Sequence, residues 1–272
     1  MGRNTHIFLF FKKMTKQTNF KEIENAYKGN TNKTLLEYEN PLLHLNSKKN
    51  HIPNKSLWIK INYSGLNITF KKLSKNSSQC RLCPAMSDLP AILSSKNGSI
   101  HTDLVFVAEA PGRFGSGRTG IPFHGDRSGD NFEQLLNHIG LKRKDIFITN
   151  AVLCNPLKNG NNRRPTIKEI DNCIYYLESI INLITPKIIS TLGGVGLEAI
   201  NRIFNVSYKL ADVAASPLPI GKFILFPLYH PSPRVIHTRR SLDQQKSDFK
   251  KLFNNLSLSS QLRVQKEQSP NN

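Results

Sequence analysis

The residue types that could do chemistry are concentrated between Ala108 and Asp130, in the segment AEAPGRFGSGRTGIPFHGDRSGD, which follows an apolar run. Glycine has no Cβ atom, so a glycine-rich loop at the end of a strand can bring its backbone close to a ligand. The loop also carries carboxylates, cations and rings: Glu109, Arg113, Phe114, Arg118, Phe123, His124, Asp126 and Arg127. These groups suit the binding of an anionic, ring-bearing substrate and the activation of water on it. We interpret the segment as a functional loop and not as a mobile surface connection.

The cysteines form a second candidate site. Two residues separate Cys80 from Cys83, so both thiolates can turn toward one centre. Cys154 follows the apolar segment 145–153, and Cys173 lies in the helical pattern that comes next. Elements that follow one another pack side by side, so all four thiols can serve one metal site. The spacing suits structural zinc and a 4Fe-4S cluster alike, and the alternative is that Cys154 and Cys173 are ordinary core residues.

These candidates are positioned by strands that alternate with helices from residue 103 onward. Continuous apolar runs predict four buried strands, at 104–108, 145–153, 187–192 and 222–229. Asp130 is the candidate N-cap of the first helix, and the pair Thr166 and Glu169 has the spacing of a capping box at the start of the second. Further helices are predicted at 195–204 and 241–256.

The alternation predicts an α/β fold, a three-layer α/β/α sandwich with a central four-stranded parallel sheet. Ligands of such sheets bind beyond the carboxyl ends of the strands. Each unusual polar segment follows a strand: 109–130, 149–150, 193–194 and 230–240. We therefore expect these four segments to converge on one side of the sheet.

Length, charge and hydrophobicity limit the classes of protein to which the chain can belong. The chain has 272 residues, and 38 Lys and Arg against 19 Asp and Glu give a net charge of +19, which predicts binding to a polyanion. We expect a basic, Asn- and Lys-rich N-terminal extension over residues 1–75 that is partly disordered, one catalytic domain over 76–256 and a polar tail over 257–272. No segment is long and apolar enough to span a bilayer, and nothing resembles a secretory signal.

Eight separated motifs follow one another between Cys80 and Phe253. They are Cys80-x-x-Cys83, Glu109-Ala-Pro-Gly112, the string from Arg118 to Asp130, Ile148-Thr-Asn150, Cys154, Cys173, Leu192-Gly193 and His230-Pro-Ser-Pro233. Motifs in this order resemble those of the iron-sulfur uracil-DNA glycosylases. The string RTGIPFHGDRSGD is more like the type 5 (UDGb) branch than type 4, although Glu109 is the residue that type 4 carries. Residues 234–240 depart from the family, which usually has an Asn and a Thr-Gly-Arg there.

The resemblance implies a monofunctional DNA glycosylase that hydrolyses the N-glycosidic bond of uracil for base excision repair, with other deaminated bases left open. It implies that Asp126 holds the attacking water and that His230 donates to uracil O2. Phe123 then stacks on the base, and Asn150 reads its edge. Glu109 is either a second water-activating carboxylate or a buried structural acid.

The remaining implications concern cofactor and partners. A 4Fe-4S cluster would be held by Cys80, Cys83, Cys154 and Cys173. Arg234, Arg239 and Arg240 are expected to contact phosphates beside the extruded nucleotide of DNA that contains uracil or another deaminated base. We expect a cytoplasmic, nucleoid-associated monomer, with organelle targeting left open.

One alternative is a non-catalytic iron-sulfur nucleic-acid-binding protein of the same fold. Another is a flavodoxin-like phosphate binder, although the chain has no Walker sequence.

Overall fold

The sheet is built from apolar runs that are buried on both faces. The computed structural model describes the backbone of residues 63–268 and the side chains of residues 69–257. Its strands are β1 (Leu104–Ala108), β2 (Phe147–Asn150), β3 (Leu157–Lys158), β4 (Asn161–Asn162), β5 (Ile188–Leu192), β6 (Leu218–Ile220) and β7 (Phe223–Leu228). Every residue of β1, β2 and β5 is buried, as expected for parallel strands that helices cover.

The central sheet has the strand order β2-β1-β5-β7-β6, and β3 pairs with β4 in a separate hairpin. Strands β2, β1, β5 and β7 are mutually parallel, whereas β6 runs antiparallel to β7. The four predicted parallel strands are therefore confirmed, and the count of four is corrected to five. The pattern did not reveal β6 because it has only three residues and contains Pro219, a residue that sheets accept at an edge.

Helices cover both faces of the sheet. They are α1 (Tyr63–Ser78), α2 (Ser116–Thr119), α3 (Arg127–His138), α4 (Ile167–Ile184), α5 (Gly194–Phe204), α6 (Leu210–Val213), α7 (Pro233–Thr238) and α8 (Leu242–Gln268). Alternate residues of β1 point to opposite faces, so Val105 and Val107 pack with α1, α4 and α5, while Leu104 and Phe106 pack with α3 and α8. The predicted three-layer α/β/α sandwich is confirmed.

The start of α3 differs from the prediction, whereas the start of α4 does not. Thr166 and Glu169 form the predicted capping box, with Glu169 N donating to Thr166 Oγ1 at 3.2 Å. Helix α3, however, begins at Arg127, and its N-cap is Asp126 and not Asp130. The Gly129 amide donates to Asp126 Oδ1 at 2.9 Å. Because the cap lies four residues earlier than predicted, the candidate catalytic carboxylate is itself part of the helix end.

Helix α1 crosses the boundary that the sequence suggested at residue 75. Its side chains Phe70 and Leu73 are 7% exposed and belong to the core, and the Phe70 ring meets the Phe147 ring edge-on at 5.8 Å. At the other end, α8 continues to Gln268, well into the predicted polar tail. Residues 1–62 of the predicted extension and 269–272 of the tail lie outside the described residues. Among the helices described, none has the length and apolar character of a membrane span.

We predict that Phe70→Ala destabilises the domain, because the substitution leaves a cavity between α1 and the sheet. The free energy of unfolding should fall by about 3 kcal/mol, measured from urea denaturation. Lys72→Ala is the matched control, since Lys72 is exposed on the same helix and should change stability by less than about 0.5 kcal/mol. Equal, small effects of both substitutions would contradict the assignment of α1 to the core.

Candidate active site

The carboxyl ends of β1, β2, β5 and β7 meet at one edge of the sheet and open into a cleft of about 690 Å3. The segments that follow all four strands contribute to its walls, as expected for a parallel sheet. All five side chains predicted to act on a substrate line this cleft: Glu109, Phe123, Asp126, Asn150 and His230. The structure thus brings together residues that are up to 121 positions apart in sequence, while the roles assigned to them stay predictions.

The Asp126 carboxylate is held by the backbone on two sides. Its Oδ1 accepts the hydrogen bond from Gly129 N at the start of α3, where the helix dipole favours a negative charge. Its Oδ2 faces the glycine-rich loop, and a Cβ atom placed on Gly115 would lie 2.2 Å from that oxygen. Any side chain at position 115 would therefore collide with the carboxylate.

The loop also contains the spacing G-x-G-x-x-G, in Gly115, Gly117 and Gly120. In dinucleotide-binding proteins this pattern forms the turn between a strand and a long helix. Here it begins seven residues after β1 and forms the four-residue helix α2. A Cβ atom on Gly117 would meet the Gly112 carbonyl at 2.9 Å, so this glycine serves the folding of the loop. The arrangement does not favour the alternative of a phosphate binder.

His230 follows β7 in a crowded part of the cleft. The neighbouring Gly193 has φ +94°, and a Cβ atom on it would lie 3.2 Å from His230 Cβ. Burial lowers the pKa of His230 to about 4, and the Asp126 charge opposes that shift. The imidazole is therefore uncharged at neutral pH and can donate one N–H hydrogen bond. Asn131 of α3 fixes the next residue, because its Nδ2 donates to the Pro231 carbonyl at 2.8 Å.

The Phe123 ring lies between α3 and His230. It stacks on Phe132 with ring centroids 4.7 Å apart and meets the His230 ring at 5.4 Å. The backbone of Phe123 has φ +49°, in the left-handed region that residues with a side chain seldom adopt. One face of the ring is thus supported by the core while the residue still lines the cleft.

Asn150 ends β2 with a side chain that is only 4% exposed. Its Nδ2 is buried and has no hydrogen-bond partner among the described residues. A buried amide donor without a partner costs free energy, so a ligand that accepts from it would be favoured. Asn150 lines the cleft, which places this donor where a ligand would bind.

Glu109 follows β1 directly and lies near Arg164. Burial raises the pKa of the Glu109 carboxyl, and the Arg164 charge partly offsets that rise. Arg164 is itself paired, with its Nη2 atom 2.7 Å from Glu198 Oε2. A carboxyl with a raised pKa is better suited to exchanging protons than a firmly ion-paired one. Both interpretations of Glu109, as a second water-activating group and as a structural acid, agree with this placement.

Two asparagines that the sequence analysis did not single out support the glycine-rich loop. Asn162 Oδ1 accepts from Arg113 N at 3.0 Å, and Asn155, with its amide oriented to suit its neighbours, donates to the Pro111 carbonyl at 3.0 Å. Both residues line the cleft, and Asn162 belongs to the small hairpin of β3 and β4. The only sequence signal for this support is the turn Asn159-Gly160. The turn predicts a hairpin, but it does not predict the contact between Asn162 and Arg113, which are 49 residues apart.

The three arginines predicted to contact DNA differ in their surroundings. Arg239 is exposed and lines the cleft, and Arg234 is exposed on α7 without lining it. Arg240 instead donates to Asp248 through both Nε, at 2.8 Å, and Nη2, at 2.6 Å. Asp248 is 2% exposed, so Arg240 is needed to neutralise a buried carboxylate. Phosphate contact therefore stays a prediction for all three arginines, and Arg240 in addition neutralises the buried Asp248.

All four cysteines are free thiols, each partly buried, and they influence one another electrostatically. Burial raises the pKa of Cys154 to about 11 and that of Cys173 to about 12, so thiolates here would need a cationic partner. Two N–H donors already point at sulfur: Asn172 Nδ2 lies 3.5 Å from Cys83 Sγ, and Leu153 N lies 3.4 Å from Cys173 Sγ. The donor set therefore fits a metal or cluster in number and chemistry. In residues 69–257, however, no three potential ligands stand in an arrangement that would hold a metal ion.

Comparison with known proteins identifies the family of the chain. The sequence profile of the Uracil DNA glycosylase superfamily matches residues 95–257. A type-4 uracil-DNA glycosylase of Archaeoglobus fulgidus is 33% identical over 160 residues, which cover 57% of this chain and 77% of the relative. A type-4 enzyme of Thermotoga maritima is 32% identical over 161 residues, covering 59% and 80%.

A relative from the other branch matches to a similar degree. The type-5 uracil-DNA glycosylase of Thermus thermophilus is 33% identical over 159 residues, which cover 53% of this chain and 70% of the relative. The similarity therefore supports the superfamily as a whole and does not separate type 4 from type 5.

Proposed function

The chain belongs to the uracil DNA glycosylase superfamily, and from this membership we propose that it excises uracil from DNA by hydrolysing the bond between uracil N1 and C1′ of deoxyribose. The relatives named as uracil-DNA glycosylases support this reaction. The observation that carries the proposal for this chain is one cleft that holds a capped carboxylate, an uncharged imidazole and an unpartnered amide. These are Asp126, His230 and Asn150.

Recognition of the base is assigned to Asn150 and Phe123. An amide side chain offers one donor and one acceptor, so Asn150 can donate to uracil O4 and accept from uracil N3–H. Cytosine presents the opposite pattern on that edge and would leave both groups unsatisfied. Phe123 supplies an aromatic surface for a base that has left its stack in the duplex. The buried, unpartnered Nδ2 atom of Asn150 supports this assignment.

Cleavage of the N-glycosidic bond develops positive charge on the sugar and negative charge on the departing base. Asp126 can accept a proton from water as the water oxygen bonds to C1′, and its negative charge stabilises the cationic sugar. The electron pair of the broken bond moves onto the base, where His230 donates a hydrogen bond to uracil O2. Because the pKa of His230 is lowered, this donor is a neutral N–H group over the whole physiological pH range.

No covalent enzyme intermediate is needed. None of the described residues that line the cleft is a lysine, so the structure offers no amine for a Schiff base there. We infer a monofunctional glycosylase that leaves an abasic site without cutting the strand. The alternative of a non-catalytic DNA-binding protein is not favoured, because Asp126 and His230 are both present and line the same cleft.

The DNA strand is proposed to run past Arg239, which lines the cleft, and past Arg234, which is exposed on α7. The net charge of +19 supports a sequence-independent attraction to phosphates. A cytoplasmic, nucleoid-associated monomer, assignment to the type 5 branch and removal of other deaminated bases stay predictions, as does the division into extension, domain and tail.

We further propose that Cys80, Cys83, Cys154 and Cys173 hold a 4Fe-4S cluster. Their number, their burial and the N–H groups directed at two of the sulfur atoms support this proposal. Bound there, a cluster would join the segment before β1 to the segment after β2 and to α4. Zinc would serve the same structural purpose and would leave the proposed reaction unchanged.

The proposed reaction predicts cleavage at uracil in labelled oligonucleotides treated with alkali after incubation, and no cleavage at thymine. Asp126→Asn should lower the single-turnover rate by about 100-fold or more, because asparagine still caps α3 but cannot accept the proton from water. His230→Ala should lower it by about 100-fold or more through loss of the donor to O2. A hypoxanthine substrate in the same assay defines the range of bases.

Asp130→Asn is the matched control for Asp126→Asn, since Asp130 is an exposed carboxylate in the same helical turn and does not line the cleft. It should excise uracil at a rate near that of the unaltered chain. Unchanged rates in Asp126→Asn and His230→Ala would remove the roles assigned to these residues.

Two neighbouring arginines should respond differently to substitution. Arg239→Ala should weaken DNA binding and reduce the slope of log affinity against log salt by about 1, because one phosphate contact is lost. Arg240→Ala should lower the free energy of unfolding by about 3 kcal/mol, because Asp248 is left buried without its partner. Binding titrations and urea denaturation measure the two effects. The same outcome for both variants would contradict the distinction.

The cluster proposal predicts that protein purified without oxygen is coloured and contains about four iron atoms per chain. Cys83→Ser should lose the visible absorbance and most of the iron. Colourless protein with bound zinc would show that the four cysteines hold zinc and not a cluster. The absence of both metals would contradict any metal role for these cysteines.

A further inference from the structure

The peptide that carries the Phe123 ring is held by an arginine outside the cleft. Arg143 lies in a single helical turn, Arg143–Asp145, between α3 and β2, and is not among the residues that line the cleft. Its Nη1 donates to the Pro122 carbonyl at 2.7 Å, and its Nη2 donates to the Phe123 carbonyl at 2.6 Å. One planar guanidinium group therefore fixes two consecutive carbonyls at the turn that presents the ring.

One further contact orients the guanidinium group, and another closes the turn that bears it. Its Nε donates to Glu133 Oε1 of α3, so three of the five N–H groups of Arg143 are used. The turn that bears Arg143 is closed by Lys142 N, which donates to Asp145 Oδ2 at 2.9 Å. Arg143 thus joins α3, the Phe123 turn and the start of β2.

The opposite side of the same peptide is closed by α3. A Cβ atom on Gly129 would lie 2.5 Å from the Phe123 carbonyl oxygen and 3.0 Å from His124 N. The first turn of α3 therefore approaches this peptide as closely as a glycine permits. Held between Gly129 and Arg143, the peptide has little freedom to rotate.

This clamp accounts for the left-handed backbone of Phe123. A phenylalanine at φ +49° is unfavourable and persists only where its surroundings determine the conformation. Relaxation of φ toward negative values would swing the ring away from Phe132, at 4.7 Å, and from His230, at 5.4 Å. The Arg143 hydrogen bonds oppose that relaxation.

We propose that Arg143 is a positioning residue for base excision, which acts by holding the Phe123 ring where an extruded base would stack. The proposal rests on the proposed function, since it takes Phe123 to be the stacking surface. Arg143 contributes no group to the reaction itself. Its removal should therefore affect the rate of excision more than the affinity for DNA.

A double-mutant cycle on the full chain tests this dependence. Single-turnover excision of uracil is measured with enzyme in excess for the unaltered chain, Arg143→Ala, Phe123→Ala and the double variant. Arg143→Ala should lower the rate by about 10- to 100-fold, because a misplaced ring leaves the base out of line with Asp126 and His230. In the Phe123→Ala background the same change should lower the rate by less than about twofold, since no ring remains to be positioned. Equal factors in both backgrounds would overturn the proposal.

Two further variants separate positioning from charge and from folding. Arg143→Lys keeps the charge but has no planar fork, so it should resemble Arg143→Ala, and a full rate in Arg143→Lys would overturn the geometric argument. Glu133→Gln loosens Arg143 without removing it and should cause a smaller loss that also disappears in the Phe123→Ala background. If Arg143→Ala does not fold, the Glu133→Gln cycle gives the same test.

Controls distinguish failure of this proposal from failure of the proposed function. Lys246→Ala removes an ion pair with Asp243 that lies outside the cleft lining, and it should leave the excision rate unchanged. If the unaltered chain removes no uracil, the proposed function fails. If it removes uracil and the rate losses caused by Arg143→Ala and Phe123→Ala multiply in the double variant, only the positioning role fails.

Discussion

The hydrogen bond from the Gly129 amide to Asp126 Oδ1 is the constraint on which the rest of the site depends. It fixes where α3 begins, and it places the carboxylate at a helix N-terminus, where negative charge is stabilised. The same turn of α3 presses on the Phe123 peptide through Gly129 and holds the His230 loop through Asn131. One helix end therefore sets the relative positions of the carboxylate, the aromatic surface and the imidazole. Glycine-rich sequence around it serves mainly to make room for these contacts.

The parallel sheet supplies the other half of the arrangement. Because β1, β2, β5 and β7 all point their carboxyl ends at one edge, Glu109, Asn150 and His230 reach the same cleft from distant parts of the chain. The two key groups have different surroundings. Burial keeps the His230 imidazole uncharged, whereas Asp126 Oδ1 accepts a backbone N–H hydrogen bond at the start of a helix. The cleft can therefore provide both a hydrogen-bond donor, His230, and a proton acceptor, Asp126, from ordinary side chains.

Much of this fold follows from local patterns in the sequence. Buried strands were visible as apolar runs, and the Thr166 cap was visible from its spacing to Glu169. Three features depended on contacts that no local pattern reports. Asp126 and not Asp130 caps α3, in a turn where Gly129 also packs closely on Phe123. Arg240 pairs with Asp248, and Arg143 donates to the Phe123 carbonyl, 20 residues earlier in the chain. The sequence does not predict the edge strand β6, because a three-residue segment with a proline carries no periodic signal.

The central claim is that an uncharged imidazole and a carboxylate line one cleft and act on each other electrostatically. Titration of the His230 ring nitrogens by NMR tests it most directly, in the unaltered chain and in Asp126→Asn, which keeps the helix cap. We expect His230 to become protonated only near pH 4, and at a still lower pH in Asp126→Asn because the opposing charge is gone. Titration near the ordinary value of 6.5, at the same pH in both proteins, would contradict it.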